Sequence, residues 1–355
     1  MEQSIVEGID GIKSIISGRK YLLVRDAAYD FLEIKNFFDE YSHVEFSGFT
    51  PNPLYEQVCK GIEIFNTQAC EMIVAVGGGS AIDVAKCIKL FCRMDSGTNY
   101  LLQDKFDSGI PLIAVPTTAG TGSESTRHAV IYFEGEKQSI SHTSIVPDYA
   151  VLEPSVLKTL PVYQKKCTML DALCQAIESW WSVNSNDESI NYSRVAIQMI
   201  KDNWREYIFQ NTAESAKNIM RAANYAGKAI NITATTAAHA MSYKITSLYK
   251  LPHGHAVALC MPYVWEYMLE NPEKCIDKRG VASFKATMDE IETLITLNDF
   301  KNMLESMKMN APTSIDKEND LDILASSVNP IRLKNNPVGL SSDVLKDMYR
   351  RIVTE

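Results

Sequence analysis

Three short stretches in the second half of the chain carry side chains able to hold a divalent metal ion. In Asp171-Ala-Leu-Cys-Gln175 the two polar ends lie four residues apart, on one face of a helix. His239-Ala-Met-Ser-Tyr243 repeats that spacing, and Leu251-Pro252-His253-Gly254-His255 reads as a turn entering a helix over 256–268. An Asp, two His and a further oxygen ligand suit a first-row divalent ion such as Fe²⁺ or Zn²⁺. Such an ion with an open position polarises a carbonyl. Each residue also has an ordinary use: Asp171 as a helix cap, His239 as a satisfied core histidine, His253 or His255 as turn residues. Only their joint order argues for a metal.

The first half carries groups suited to phosphate. Met72–Val76 is a continuous apolar run, as in a strand buried on both faces, and it ends in Gly77-Gly78-Gly79-Ser80 before a helical stretch through Asp83, Lys86 and Leu90. Glycines let backbone approach a phosphate, and a helix start offers unpaired N–H groups and positive potential. Ser80 is suited to cap the helix or to donate to a phosphate oxygen. The loop comes one strand–helix unit later than the first-turn Gly-x-Gly-x-x-Gly of the usual dinucleotide fold. A second polar, glycine-containing stretch runs Pro116-Thr117-Thr118-Ala119-Gly120-Thr121-Gly122-Ser123-Glu124; it reads as a further wall of the groove or as a flexible loop. A third strand end, Phe46-Ser47-Gly48, precedes Thr50-Pro51-Asn52-Pro53. An acid there would bond the ribose hydroxyls and repel a 2′-phosphate; Ser47 in its place leaves a 2′-phosphate permitted.

The elements that must position these groups follow from periodicity. Strands are expected at Tyr21–Val24, His43–Phe46, Met72–Val76, Pro111–Pro116 and Tyr149–Leu152, with helices around 29–40 and 53–67 and a hairpin flanking Glu134-Gly135. That alternation predicts a parallel, doubly wound α/β sheet. From Val162 onward helical periods dominate. We therefore expect an α/β dinucleotide-binding domain over 1–153 and an all-α metal-binding domain over 154–355, with a ligand cleft between them. A chain of 355 residues fits about two domains at roughly 150 residues each. Its 35 basic and 44 acidic residues give a net charge of −9, which argues against general nucleic-acid binding. No apolar run reaches the roughly 18 residues of a bilayer span. The eight cysteines form no Cys-x-x-Cys pair and the N-terminus lacks a signal-peptide core, so free thiols in a cytoplasmic protein are expected.

Taken together these segments closely resemble the iron-containing (group III) alcohol dehydrogenase family. The matching residues are Pro51-Asn52-Pro53, Gly77–Ser80 with Asp83 and Lys86, Pro116-Thr117-Thr118 with Gly120–Glu124, Asp171-Ala172-Leu173, His239 and Pro252-His253-Gly254. The resemblance runs over nearly the whole chain. It implies the dehydroquinate synthase-like fold and an NADH- or NADPH-linked enzyme interconverting a small aldehyde and its alcohol. It also implies a homo-oligomer, often a dimer. Carried over by position, the metal ligands are Asp171, Gln175, His239 and His253, and the cofactor lies along Ser47, Asn52, Gly77, Gly78, Gly79, Ser80, Asp83, Thr117 and Thr118. The family usually has His where this chain has Gln175, whose amide oxygen is a weaker donor than imidazole for Fe²⁺ or Zn²⁺. Many members have a proton-relaying His where it has Tyr243, which would relay through its hydroxyl or merely pack. Both departures resemble the branch associated with phosphonate metabolism, whose members reduce phosphonoacetaldehyde to 2-hydroxyethylphosphonate. A phosphonate needs cationic partners, and the sequence offers Arg127, His128, Lys244 and His255. The alternatives are a general short-chain alcohol dehydrogenase, a dehydroquinate synthase-type lyase, and a nucleotide-binding relative that has lost its metal.

Overall fold

The computed structural model describes residues 3–354. By contacts the chain divides into two compact units: 1–160 with 211–224, and 161–210 with 225–355. The helix Ala213–Thr233 thus begins in the first unit and ends in the second.

In the first unit the apolar runs become strands because a parallel sheet covered on both faces has no solvent side to serve. The strands are β1 (Ser4–Glu7), β2 (Tyr21–Arg25), β3 (His43–Phe46), β4 (Met72–Gly77), β5 (Leu112–Pro116), β6 (His128–Phe133), β7 (Glu136–Ser141) and β8 (Tyr149–Leu152). Six form one sheet in the order β1-β8-β5-β4-β2-β3, and every pairing is parallel. Every residue of β4 and β5 is buried. The predicted hairpin forms as the antiparallel pair β6–β7. β1 escapes the sequence reading: it is a four-residue, mostly exposed edge strand with little apolar pattern, held by its register with β8.

From β2 the chain runs outward to β3 and then returns to β4 on the other side of β2. The carboxyl ends of β2 and β4 therefore flank a switch point in strand order, where doubly wound sheets open a ligand crevice. The helices Tyr55–Thr67 and Gly79–Phe91 follow β3 and β4. The helix expected over 29–40 is broken. Asp26 caps a 3₁₀ turn at Ala27–Phe31, Leu32 is extended, and only Lys35–Asp39 is α-helical.

The second unit is helical, with no β-strand among its described residues. Val162–Trp181 is its central helix, buried at every position from Met169 to Trp181. Asp171 and Glu178 are carboxylates inside that apolar helix, a costly placement unless each is paired. Asp187–Phe209 and His253–Glu270 pack against it, and Ala237–Tyr249 packs on His253–Glu270. No helix among the described residues is long and apolar enough to cross a membrane.

Candidate metal centre and dinucleotide groove

At the switch point, residues from three strand ends line a groove of about 500 Å³, within the usual size of small-molecule sites. β2 contributes Arg25 and Asp26, the segment after β3 contributes Ser47, Phe49 and Pro51, and the β4 turn contributes Gly78, Gly79 and Ser80. The N–H groups of Gly79 and Ser80 open a 13-residue helix and have no acceptor within it. The glycines are needed for packing: a Cβ on Gly77 would stand 2.6 Å from both the Asp26 carboxylate and the Ala81 Cβ, and one on Gly79 would stand 3.1 Å from Thr121. Thr117 donates its N–H to the Gly77 carbonyl at 3.0 Å, and Thr118 lies beside Gly78. Asn52 sits in an exposed turn at left-handed φ, between two prolines and beside the groove-lining Pro51.

Asp83 has a different neighbourhood from the groove. Its carboxylate accepts the Ser123 hydroxyl at 2.7 Å and the Val130 N–H at 3.0 Å. The buried Lys86 donates to Ser123, Thr126 and the His128 carbonyl at 3.1, 3.0 and 2.7 Å. These two side chains pin the Thr117–Thr126 loop to the helix. Burial pushes the Lys86 pKa down to about 8, against the opposing charges of Asp83 and Glu124, and burial raises that of Asp83.

Ser47 is where the sequence places it, and the groove nonetheless has carboxylates. Asp26, at the end of β2, accepts the Gly78 N–H at 2.9 Å and the Ala28 N–H at 3.0 Å, and Asp30 lies beside it. Arg25, the cation among the lining residues, bonds Asp30 and Glu45, each at 3.0 Å. An acid just past a buried strand was the available signal for Asp26, but it stands one strand away from Ser47, where a ribose-binding acid is expected.

In the second unit Asp171, His239 and His253 come together as their order predicts. One donor atom from each lies within 4.8 Å of the others. His239 Nε2 is 3.2 Å and His253 Nε2 3.9 Å from Asp171 Oδ1. Gln175, one turn along from Asp171, donates its amide to Asp171 Oδ2 at 3.2 Å and braces the carboxylate. His253 is the first residue of its helix, behind Pro252. Gly254 lets that helix start approach the central one: a Cβ there would stand 2.0 Å from the Cys167 carbonyl oxygen and 2.9 Å from the Asp171 Cβ.

Glu178 completes the arrangement and was missed from sequence. It is fully buried two turns beyond Asp171, on the same helix face. It accepts the Thr236 hydroxyl at 2.8 Å, the Ala238 N–H at 2.9 Å and the His239 N–H at 3.3 Å, and it hydrogen-bonds His239 Nδ1. A proton held on Nδ1 leaves Nε2, which faces Asp171 and His253, as the ring atom that would bind a metal once it gives up its own proton. The i, i+4, i+7 spacing of Asp171, Gln175 and Glu178 was the signal that could have found it.

Burial lowers the His239 pKa, but the Glu178 charge and the Asp171 hydrogen bond outweigh it and raise the value to about 9. Burial raises that of Asp171, and the His239 hydrogen bond with the His253 charge brings it below the ordinary carboxylate value. A buried carboxylate and two imidazoles, one oriented by a second carboxylate, match the donor set of a first-row divalent ion.

Tyr243 stacks on His253, with centroids 5.5 Å apart and planes within 6°. Its hydroxyl accepts a hydrogen bond from Arg332 at 3.0 Å, and the guanidinium lies 5.0 Å from its ring centroid. The cations named from sequence are placed otherwise. His255 is buried and bonds the Tyr163 hydroxyl at 2.8 Å. Lys244 is about 100° round the helix from Tyr243. Arg127 and His128 belong to the first unit.

Residues 11–154 match the iron-containing alcohol dehydrogenase family, and residues 166–353 match the family of its C-terminal domains. The chain belongs to the iron-containing alcohol dehydrogenase family. This family binds a divalent metal and NAD(H), so the chain is an oxidoreductase of the alcohol dehydrogenase kind. The 1,3-propanediol dehydrogenase of Citrobacter freundii is 30% identical over 302 residues, covering 79% of this chain and 77% of that protein. Aldehyde-alcohol dehydrogenase 2 of Entamoeba histolytica is 31% identical over 239 residues, 63% of this chain and only 27% of that much longer protein. The sulfoacetaldehyde reductase of Bifidobacterium kashiwanohense, solved in complex with NAD⁺, superposes with a TM-score of 0.85 at 25% identity, covering 99% of this chain and 96% of that one.

Proposed function

We propose that this protein reduces a small aldehyde to its primary alcohol with NADH or NADPH and a divalent metal, Fe²⁺ or Zn²⁺. We further propose that the aldehyde is phosphonoacetaldehyde and the product 2-hydroxyethylphosphonate. The observation that carries the reading is the convergence of Asp171, His239 and His253 donors around a carboxylate-braced imidazole. When bound, the metal acts as an electrophile toward the carbonyl oxygen and the reduced nicotinamide supplies the hydride. Asp171, His239 and His253 hold the metal, and the Gln175 side chain adds a fourth, amide-oxygen donor. Glu178 keeps the proton on His239 Nδ1. The Tyr243 ring stacks on His253, and its hydroxyl is assigned the protonation of the product oxygen. In the first unit the Gly78–Ser80 turn cradles the pyrophosphate, bordered by Thr117 and Thr118. Asp26 and Asp30 line the groove at the end of β2, Asp30 paired with Arg25, and a carboxylate there disfavours a 2′-phosphate, which supports NADH.

The substrate reading is supported by the resemblance around Gln175 and Tyr243. It also fits the likeness to a reductase of sulfoacetaldehyde, another two-carbon aldehyde with an anionic head group. The test is an aldehyde panel of phosphonoacetaldehyde, sulfoacetaldehyde and propionaldehyde, run with both cofactors on metal-loaded protein. The reading expects phosphonoacetaldehyde to have the highest kcat/KM. A preference for propionaldehyde would instead mark a general short-chain alcohol dehydrogenase.

A further inference from the structure

Arg332 lies roughly 80 residues beyond the last metal-site residue in sequence, yet it stands over Tyr243. The imidazole of His253, the phenol of Tyr243 and the guanidinium of Arg332 form a contiguous set running outward from the metal donors. The segment that carries Arg332 is anchored. Asn329 caps the short Pro330–Leu333 helix by accepting the Ile331 N–H at 2.9 Å. Asn335 donates to the Thr235 carbonyl at 3.1 Å, accepts from Asn184 at 3.1 Å, and takes the Val183 N–H on its carbonyl at 3.1 Å. Thr235 adjoins Thr236, which bonds Glu178, so the turn holding Arg332 and the network orienting His239 share one anchor. A side chain held in this way loses little further freedom when a ligand arrives.

We infer that Arg332 is the specificity-determining residue for the anionic end of the substrate, forming an oxyanion subsite one ring outward from the metal. The ligand class is an aldehyde whose carbonyl carbon is one methylene away from a tetrahedral, negatively charged head group, a phosphonate or a sulfonate. The inference rests on the aldehyde-reductase reading above and deepens it. Several features select this residue. A guanidinium is planar and always charged, and its forked donors fit two oxygens of a tetrahedral anion. One of its N–H groups is fixed on the Tyr243 hydroxyl, which sets the plane of the fork. The phosphonate of a two-carbon aldehyde lies only two bonds beyond the carbonyl carbon. It therefore falls close to whichever side chains flank His253. In a chain of net charge −9, a fixed cation one ring beyond His253 supplies the local positive charge that an anionic substrate needs.

The experiment compares wild type, Arg332→Gln and Arg332→Lys, each metal-loaded and supplied with NADH. For Arg332→Gln the ratio of kcat/KM for phosphonoacetaldehyde to that for propionaldehyde should fall roughly tenfold to a hundredfold, mostly through KM, equivalent to about 1.4–2.8 kcal/mol. Arg332→Lys should recover part of the ratio. Equal losses for the charged and uncharged aldehydes would overturn the inference and make Arg332 a support for Tyr243. If wild type turns over propionaldehyde but not phosphonoacetaldehyde, the substrate reading fails. The subsite is then tested alone, as competitive inhibition of propionaldehyde reduction by methylphosphonate. If no aldehyde is reduced, the same test becomes calorimetric binding of methylphosphonate to metal-loaded protein. In either case binding that weakens in Arg332→Gln supports the subsite, and binding that is absent or indifferent to the substitution overturns it.

Discussion

Replacing Glu178 with Gln tests the arrangement of the metal centre without changing its shape. The wild-type carboxylate is fully buried and uses its oxygens on the Thr236 hydroxyl, the Ala238 and His239 N–H groups and His239 Nδ1. An amide keeps one oxygen, enough for Thr236 and Ala238, and puts an NH₂ donor where His239 Nδ1 points. Two donors cannot face one another in a dry site, so the imidazole must take the other tautomer. Its proton then sits on Nε2, on the lone pair that would bind the metal. Loss of a hydrogen bond of this kind weakens metal affinity by about 10–100-fold, or about 1.4–2.8 kcal/mol. The assay is competition for Zn²⁺ against a chelating dye, with thermal unfolding of the metal-free protein measured alongside. Weaker binding with a nearly unchanged melting temperature is expected. Affinity within about twofold of wild type would refute the argument and leave Glu178 as a cap for the Ala237–Tyr249 helix.

Three further outcomes follow from other parts of the structure. Gly254→Ala must push the His253 helix away from the Cys167 carbonyl, so it should cost about 1–3 kcal/mol in denaturant unfolding and weaken metal binding as well; a silent substitution would show that the close approach is not required. Asp26→Ser removes a charge from the groove while keeping a short acceptor for the Gly78 N–H, and the kcat/KM ratio of NADPH to NADH should rise by roughly tenfold, about 1.4 kcal/mol; an unchanged ratio would place the ribose elsewhere. Lys86 titrates near 8 when folded and near 10.5 when unfolded, so the unfolded chain binds the extra proton between those values and wild type should gain stability relative to Lys86→Met as pH rises through that window, at about 1.4 kcal/mol per pH unit. Parallel urea-unfolding stabilities of the two proteins from pH 7.5 to 9.5 would contradict the buried, charged lysine.

The parts legible from sequence are those whose physics is local. β4 announces itself because a strand covered on both faces needs an unbroken apolar run, and the glycine turn follows directly. Asp171, His239 and His253 could be named because their joint order along the chain matches the family's pattern, although each alone has an ordinary use. What stayed hidden depends on the tertiary fold. β1 exists through its pairing with β8 and has little pattern of its own. Asp26 gains its meaning from the reversal of strand order, which brings the β2 end beside the β4 turn. Arg332 comes from a single-turn helix far along the chain, and only packing sets it over Tyr243. Glu178 is the intermediate case: its helical spacing from Asp171 was visible, but its partner His239 is 61 residues away.

The most direct test of the central claim is NADH oxidation with a short aldehyde, measured on wild type and His253→Ala after chelator treatment and again after reloading with Fe²⁺ or Zn²⁺. His253 is partly exposed, with 37% of its side-chain surface accessible, so its removal should spare the fold. The account predicts that wild type is inactive when stripped and active when reloaded, and that His253→Ala stays inactive in both states with an unchanged melting temperature. Equal activity in stripped and reloaded wild type, or no oxidation of NADH or NADPH with any short aldehyde after reloading, would contradict it.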